Sequence, residues 1–334
     1  MIGKLWAGVD IGGTKTAVVL SAQPPQAISR RVVATLPAQG PERVLASIKK
    51  DLFEMLAEHG SSPGALAGIG VSCGSPLDRF AGVIQAPPNL PTWVDVPIGA
   101  ILSQEFGCRC SLENDANAGA VAEHRFGAGQ GVENMVFLTL GTGLGAGIIC
   151  DGRLYHGTSD SAGEIGHVRL SRTGPVGYNK AGSVEGWSSG GGIAQLAEQL
   201  AATARAKGRK TMLAEKRAEG TPLTARDVAV AAQAGDALAR RILRIAGMRL
   251  GETLAILADI LNPERIVIGG LALRLGDALL EPARKVMRRE ALPQTAAVCQ
   301  VVPAALDESI GDVAALCIAM GLHDPEFQRS EAAL

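Results

Sequence analysis

The chain has 334 residues, of which 47% are hydrophobic and 19% are charged, and its formal net charge is −1. A chain of this length exceeds what one hydrophobic core usually fills, so we expect two domains, and the apolar content excludes a disordered protein. The balanced charge provides no electrostatic attraction for nucleic acid or for an anionic membrane. Aromatic residues make up only 3% of the chain, which argues against the stacking of single-stranded bases.

The six cysteines form no Cys-x-x-Cys pair and lie mostly in apolar surroundings. We therefore interpret them as small buried side chains and not as a disulfide framework. Asp10 interrupts the first apolar stretch, which does not fit a signal peptide. No apolar run approaches the roughly 20 residues of a membrane-spanning helix. Together these features predict a protein of the cytoplasm.

Apolar runs, helical spacing and glycine turns predict alternating strands and helices. In chain order these are strands at 5–10, 16–21 and 31–36, a helix at 41–59, strands at 67–72 and 108–112, a helix at 116–126, strands at 134–140 and 146–150, helices between 193 and 261, and a strand at 265–268. A strand, a glycine turn and a second strand thus occur twice, which indicates an internal duplication of architecture. The charged stretch 207–226 is expected to be exposed and weakly ordered.

The first glycine turn lies in the segment Asp10-Ile-Gly-Gly-Thr-Lys15. Gly12 and Gly13 expose consecutive backbone amides that can bind phosphate oxygens, and Thr14 adds a hydroxyl donor. Lys15 can add positive charge, and Asp10 could hold a water bound to Mg²⁺. A strand follows the lysine, so the segment is not a Walker A loop, which opens a helix. An ordinary hairpin turn is the alternative.

The second glycine turn is Gly141-Thr-Gly-Leu-Gly145. It is not a dinucleotide-binding fingerprint, because Ala146 breaks the Gly-x-Gly-x-x-Gly pattern and a strand follows. Two such hairpins in two matching halves predict a nucleotide polyphosphate that is held between two lobes.

Two polar segments are candidates for chemistry. Asn114 and Asp115 lie between a predicted strand and a helix. Asp115 is either a helix N-cap or a general base whose ionised form the helix N-terminus favours. Glu164 and His167 are three residues apart; a metal motif of this kind needs a second copy, which the chain lacks. Either the two are hydrogen-bonding groups for a polyhydroxy ligand, or His167 is a structural histidine with its hydrogen bonds satisfied within the protein.

Six segments, taken together and in this order, resemble the ROK family, which comprises sugar kinases and repressors of the actin-like ATPase fold. They are Asp10-Ile-Gly-Gly-Thr-Lys15, Pro88-Asn-Leu-Pro-Thr-Trp93, Glu113-Asn-Asp-Ala-Asn117, Thr139-Leu-Gly-Thr-Gly-Leu-Gly145, Gly163-Glu-Ile-Gly-His167 and Ile266-Val-Ile-Gly-Gly270. The likeness covers nearly the whole chain, and six segments in register are far more specific than any one of them.

The resemblance implies a two-lobed α/β protein of the actin-like ATPase (ribonuclease H-like) fold. Its active site would lie in the cleft between a smaller lobe, residues 1–116 and 318–334, and a larger lobe, residues 117–317. Asp115 would be the catalytic base, and the sugar site would be lined by Asn89, Asn114, Glu164, His167 and Glu185. ATP phosphates would bind at Asp10, Gly12, Gly13, Thr14, Lys15, Gly141, Thr142 and Gly143, and adenosine near Ser189, Gly190, Gly269 and Gly270.

The chain departs from the family pattern in two places. ROK kinases usually carry the zinc motif Cys-x-Cys-Gly-x-x-Gly-Cys-x-Glu after the Gly-His pair, but Val176, Tyr178 and Ser183 stand at the cysteine positions here. We therefore predict no structural zinc and expect Tyr178 and Trp187 to anchor the loop 169–186 by packing. The segment 70–78 lacks the Pro-Gly turn that lies near the sugar in relatives, which bears on substrate preference.

The sequence thus predicts a glucokinase-like hexose kinase that uses ATP and Mg²⁺. Glucose is the first candidate substrate, followed by N-acetylated hexosamines, mannose, fructose and allose. The alternative is a non-catalytic, sugar-binding or regulatory ROK protein. A repressor needs a helix-turn-helix ahead of the kinase-like part, and the first predicted strand begins within a few residues of Met1, so the enzyme is favoured. The expected partners are sugar and ATP, without nucleic acid or membrane, and relatives are commonly homodimers.

Overall fold

The computed structural model describes residues 4–324. The chain forms two compact units, each with its own hydrophobic core. Of the described residues, the first unit comprises 4–131, the segment Ile149–Tyr155 and 305–324. The second comprises Val132–Ile148 and His156–Ala304.

Strands and helices are numbered in chain order. The strands are β1 (Leu5–Ile11), β2 (Lys15–Ser21), β3 (Ser29–Ala34), β4 (Leu66–Cys73), β5 (Leu77–Asp78), β6 (Val83–Ile84), β7 (Cys110–Asn114), β8 (Met135–Leu140), β9 (Leu144–Cys150), β10 (Arg153–Leu154), β11 (Val176–Gly177), β12 (Lys180–Ala181), β13 (Arg265–Gly270) and β14 (Gln300–Pro303). The helices are α1 (Pro41–Glu58), α2 (Ile98–Phe106), α3 (Asp115–Phe126), α4 (Val184–Ser188), α5 (Gly190–Ala206), α6 (Met212–Ala218), α7 (Ala225–Gln233), α8 (Ala237–Leu261), α9 (Leu271–Leu275), α10 (Asp277–Glu290), α11 (Pro293–Val298) and α12 (Ile310–Ala319).

A five-stranded sheet in the order β3-β2-β1-β4-β7 forms the centre of the first unit. β1 pairs antiparallel with β2 and parallel with β4, and β4 pairs parallel with β7. Asp10 of β1 lies opposite Ser72 of β4, and Asn114 ends β7 opposite Cys73. The carboxyl ends of three parallel strands therefore meet at one edge of the sheet, where polar side chains follow each strand.

Helices α1 and α12 pack on this sheet. α1 buries a stripe of apolar side chains at helical spacing, namely Val44, Leu45, Ile48, Leu52, Met55 and Leu56. α12 packs against β1 and β4. Gly70 permits this approach, because a Cβ there would overlap the backbone of Ala315 and Ala319. The first turn of α12 is thereby brought next to Asp10, since a Cβ on Gly311 would overlap its carboxylate.

The second sheet has the order β10-β9-β8-β13-β14, and β13 runs parallel to both β8 and β14. Both sheets thus place their first strand between the second and the fourth, which confirms the predicted duplication of architecture. The long helix α8 packs against α10. Gly247 and Gly251 allow this contact, because a Cβ at either would press on the backbone of α10 at Leu279 or Ala283.

Several predicted boundaries differ from the structure. The third strand is Ser29–Ala34 and does not reach Leu36, which has a left-handed φ of 47°. The strand predicted at 108–112 is Cys110–Asn114, because its pairing with β4 begins at Cys110. The stretch 207–226 contains α6, with buried Leu213, so it is more regular than expected.

The division into units also differs from the expected lobe boundaries at residues 116 and 318. The structure groups α3 and α12 with the first unit. Packing explains this grouping, since α12 contacts α3, β1 and β4. Within residues 4–324, no helix is both long and apolar enough to cross a membrane.

Candidate active site

The first glycine turn joins β1 to β2 and leaves two consecutive backbone amides free. The Gly12 amide donates to the Lys15 carbonyl at 3.0 Å and closes the turn. The Thr35 hydroxyl supports it by donating to the Gly12 carbonyl at 2.7 Å. Within residues 4–324 the amides of Gly13 and Thr14 donate no hydrogen bond. Free consecutive amides are what a phosphate-binding turn requires.

Asn89 lies directly beside this turn. A Cβ on Gly13 would be 2.9 Å from the Asn89 Cβ, so only glycine fits there without displacing the asparagine. Gly74 lies on another side, where a Cβ would be 3.5 Å from Asn89 Oδ1. The structure thus brings a predicted sugar residue next to a predicted phosphate turn within the first unit.

Asp10 lies among other carboxyl groups at the end of β1. Burial, together with the nearby carboxylates of Asp115 and Asp312, raises the pKa of Asp10 from its ordinary value of 3.8 to about 6. A side-chain hydrogen bond from Ser72 and the charge of Lys15 act in the opposite direction and are weaker. Oxygen donors of this kind suit Mg²⁺. In the part of the chain that is described, however, no three acidic, histidine or cysteine side chains are arranged to hold a metal ion together.

Asp115 is the first residue of α3 and not its N-cap. Asn114 caps the helix, because its side-chain oxygen accepts the amides of Ala116 at 2.9 Å and Asn117 at 3.2 Å. The Asp115 carboxylate accepts the Ala116 amide at 2.9 Å, and the residue is otherwise exposed. The N-cap interpretation of Asp115 is therefore wrong, and its carboxylate is open to a reacting group.

The acidity of Asp115 also differs from expectation. Desolvation by surrounding protein atoms raises its pKa, and this effect exceeds the opposing hydrogen bonds from the amides of Ala116 and Asp115. The amides at the helix N-terminus do favour the ionised form, as expected, but desolvation outweighs them and the net shift of the pKa is upward. A carboxylate with a raised pKa is a better proton acceptor.

Two residues that sequence reasoning missed fix this corner. Glu113 is 1% exposed, and its Oε1 accepts the Asn114 amide at 2.9 Å and the Asn117 side-chain amide at 3.0 Å. Ser75 Oγ accepts a hydrogen bond from Asn114 Nδ2 at 2.9 Å. Ser75 belongs to the segment 70–78 that departs from the family pattern, so that departure touches a predicted sugar residue. The one sequence signal for Glu113 was its position directly before Asn114 and Asp115.

The second glycine turn, between β8 and β9, is supported by the start of α5. The amides of Gly190 and Gly191 donate to the carbonyls of Gly141 at 2.9 Å and Thr142 at 3.1 Å. The Gly141 amide closes the turn onto the Gly143 carbonyl at 2.9 Å. The amides of Thr142 and Gly143 donate to no group among the described residues. This turn therefore presents two free amides, as the first one does.

The residues predicted for adenosine surround this second turn. Ser189 caps α5 by accepting the Gly192 amide at 3.1 Å. Leu271, which follows Gly269-Gly270, approaches Gly190 closely: a Cβ on Gly190 would be 3.7 Å from its Cδ2. Gly270 has a φ of 67°, and a Cβ there would lie 2.3 Å from the carbonyl oxygen of Leu140. The structure thus brings Ser189–Gly190 and Gly269–Gly270 together within the second unit.

Glu164 and His167 are the two ends of one short 3₁₀ turn, and both are exposed. The His167 ring meets the Tyr178 ring edge to face, with centroids 5.9 Å apart. Lys180 Nζ donates to the His167 carbonyl at 2.8 Å. Glu185, at the start of α4, uses Oε2 to accept the Leu144 amide at 3.0 Å. Glu185, itself a predicted sugar residue, is therefore hydrogen-bonded to the residue that directly follows the second glycine turn.

The loop 169–186 is anchored by Trp187 and not by Tyr178. Trp187 Nε1 donates to Ser171 Oγ at 2.9 Å, and the indole fills the space beside Gly174. Tyr178 is 65% exposed, so its expected role as a packing anchor is wrong. At the motif positions, His167 is the one residue whose side chain offers zinc a nitrogen or sulfur ligand. A structural zinc site needs four such ligands, so these positions do not fit one. The absence of zinc stays a prediction.

Comparison with known proteins identifies the family. The ROK family pattern matches residues 6–321. The chain belongs to the ROK family. A glucokinase from Halalkalibacterium halodurans is 34% identical over 298 residues, which are 89% of each chain. The relatives of this ROK protein also include a xylose repressor from Caldicellulosiruptor bescii, 27% identical over 283 residues, which cover 84% of this chain and 69% of the repressor.

Two solved structures show the fold. A ROK hexokinase from Thermus thermophilus is 30% identical, with a TM-score of 0.79 and coverage of 97% of this chain and 99% of that one. A ROK glucokinase from Streptomyces griseus in complex with glucose and AMPPNP is 31% identical, with a TM-score of 0.75 and coverage of 95% and 99%. The predicted actin-like ATPase fold is thereby confirmed. The roles of individual residues stay predictions.

Proposed function

We propose that this ROK protein transfers the γ-phosphoryl group of ATP to a hydroxyl of a hexose. The observation that carries the proposal is the placement of Asp115. Its carboxylate is exposed at the start of α3, while Asn114 takes over the capping role. The likeness to glucokinases, one of them with glucose and AMPPNP bound, supports both substrate classes. Glucose is the first candidate among hexoses.

Asp115 accepts the proton of the sugar hydroxyl as the hydroxyl oxygen attacks the γ-phosphorus; the bond from the γ-phosphorus to the β–γ bridging oxygen breaks, and ADP leaves. Its raised pKa suits a general base, and such proton transfer contributes about 10²–10⁴-fold to the rate. Asn89 and Asn114 bind sugar hydroxyls in the first unit, and Glu164, His167 and Glu185 do so in the second. Hydroxyl groups require paired donors and acceptors, which amide, imidazole and carboxylate groups supply.

The free amides of the two glycine turns bind phosphate oxygens. Phosphoryl transfer depends mainly on positioning and on charge stabilisation, which fixed backbone donors provide. Asp10 would hold Mg²⁺ together with the nucleotide, since the protein's own carboxylates are not arranged to hold an ion without it. When bound, Mg²⁺ neutralises phosphate charge. Ser189, Gly190, Gly269 and Gly270 receive the adenosine.

A sugar-binding regulator without catalysis is the second candidate, and the xylose repressor among the relatives favours it. Such a protein would bind sugar without turning over ATP.

A coupled assay of ADP release with a panel of hexoses, combined with sugar titration calorimetry, tests the proposal. The wild type is expected to release ADP only with a hexose present. Asp115→Asn is expected to lose about 10²–10⁴-fold in kcat and to keep its sugar affinity. Asp95→Asn, the same change in an exposed loop, is the control and should match the wild type. Near-normal turnover by Asp115→Asn would refute the base, and sugar binding without ADP release by the wild type would favour the regulator.

A further inference from the structure

The hairpin of β11 and β12 turns through two residues that both have left-handed backbone conformations. Tyr178 has a φ of 40° and Asn179 a φ of 62°. A two-residue turn of this type favours Asn-Gly. Asparagine tolerates the conformation, whereas a bulky aromatic residue seldom adopts it. The fold therefore holds Tyr178 in a strained conformation, and strained residues cluster at binding sites.

Packing of the Tyr178 side chain does not account for this strain. The residue is 65% exposed, and its hydroxyl hydrogen-bonds to no other group in residues 4–324. Other residues hold the hairpin in place. Gln195 accepts the Val176 amide at 2.9 Å and donates to the Val176 carbonyl at 2.8 Å. The backbone of Gly177 packs against Glu185. The hairpin thus has its own anchors, and none of them is the tyrosine ring.

The tyrosine ring stands beside residues that we propose bind the sugar. Its centroid lies 5.9 Å from that of His167, with the rings inclined at 66°. On the other side of the turn, Lys180 Nζ donates to the His167 carbonyl at 2.8 Å. Glu164 is exposed at the opposite end of the same 3₁₀ turn as His167. The hairpin is therefore tied to His167 at two points, which places an aromatic ring next to exposed polar groups.

We propose that Tyr178 is a specificity-determining residue whose ring receives the apolar C–H face of a hexopyranose. A pyranose has a rim of hydroxyls and two faces of C–H groups. Polar groups such as Glu164 and His167 suit the rim, and the electron-rich face of an aromatic ring suits the C–H groups. An axial hydroxyl would hold the sugar away from the ring, so the preferred class is hexopyranoses whose hydroxyls are mostly equatorial. This inference rests on the proposed kinase function and refines its substrate class.

Three substitutions separate a sugar contact from a structural role. Tyr178→Asn removes the ring and places a residue that tolerates the left-handed conformation. We expect it to raise the KM for glucose about three- to tenfold, to leave the KM for ATP within about twofold, and to raise Tm. Tyr178→Phe keeps the ring and should keep the glucose KM. Val176→Ala shortens another exposed residue of the same hairpin and is the control.

Steady-state kinetics with glucose and with a hexose that has an axial hydroxyl, together with thermal melts, give the readouts. The inference is supported if Tyr178→Asn has a higher Tm and a KM that is raised selectively for glucose. An unchanged KM for glucose overturns the inference. A lower Tm with equal rises in the KM values for glucose and ATP also overturns it and assigns the ring to the stability of the fold. If the wild type releases no ADP with any hexose, the kinase proposal fails. Glucose titration calorimetry of wild type and Tyr178→Asn then decides whether the ring contacts sugar.

Discussion

Asp10→Asn is expected to stabilise the protein at pH 8 while lowering its turnover. Burial and the carboxylates of Asp115 and Asp312 raise the pKa of Asp10 from 3.8 to about 6, so the folded protein disfavours the ionised form. Asparagine keeps the shape of the side chain, and its oxygen can still accept the hydrogen bond from Ser72. The substitution removes a buried negative charge that the fold does not need but that the proposed Mg²⁺ and nucleotide site does.

The sign of the effect follows from proton binding. A carboxyl whose pKa is raised by folding binds its proton more tightly in the folded state, so the cost of ionisation appears as pH rises from 3.8 to about 6 and is complete above that. The shift corresponds to at most about 3 kcal/mol at pH 8 and to roughly half of that at pH 5. For a unit of this size, a gain of about 3 kcal/mol in the free energy of unfolding raises Tm by roughly 6–12 °C.

Thermal melts of wild type and Asp10→Asn at pH 5 and pH 8 measure this difference. The gain in Tm should be about twice as large at pH 8 as at pH 5. Asp95→Asn is the matched control, because Asp95 is exposed and its left-handed φ of 49° suits asparagine. This variant should leave Tm unchanged at both pH values. A loss of stability in Asp10→Asn at pH 8, or an equal gain at both pH values, would refute the argument.

Two further predictions concern metal and stability. Chelation by EDTA, followed by restoration of Mg²⁺, is expected to change neither Tm nor activity; elemental analysis that finds one zinc per chain would contradict this. Glu123→Gln should lower the free energy of unfolding by about 2–4 kcal/mol, because the fully buried carboxylate accepts the amides of Ala128 at 2.7 Å, Ala305 at 3.1 Å and Leu306 at 2.9 Å. Urea unfolding measures the change, and a loss below about 0.5 kcal/mol would be inconsistent with it.

The elements that depend on local pattern could be predicted from the sequence. The helix α1 follows the spacing of its apolar stripe, and β1 and β4 follow their apolar runs. Boundaries that depend on a distant partner could not. β7 begins at Cys110 because that residue pairs with Ile69 of β4. The placement of α12 in the first unit depends on the close approach that Gly70 allows, which no local signal announces.

The same distinction applies to the candidate site. The glycine turns and the Asn114–Asp115 corner could be found because each is a contiguous motif. Asp312 comes near Asp10 only through the packing of α12, so its influence on the pKa of Asp10 was not predictable. For Asp115, the effect of the helix N-terminus could be predicted because it is local, whereas the larger, opposite effect of desolvation depends on atoms from the rest of the fold.

Tyr178 shows a different limit of sequence reasoning. An aromatic residue in a loop usually indicates packing, and the sequence offers no sign that its backbone takes a left-handed conformation. The structure reverses the assignment, because Trp187 carries the packing and the exposed Tyr178 ring meets His167.

The two glycine turns support a phosphate role together more strongly than either does alone. Their sequences differ, Gly-Gly-Thr in one and Gly-Thr-Gly in the other, and so do their supports, a threonine hydroxyl in the first unit and the amides of α5 in the second. In both, the first glycine amide closes the turn and the next two amides are left without a partner in the described chain. Because the feature recurs in both halves despite different sequences and supports, we expect both turns to bind phosphate oxygens through their backbone donors.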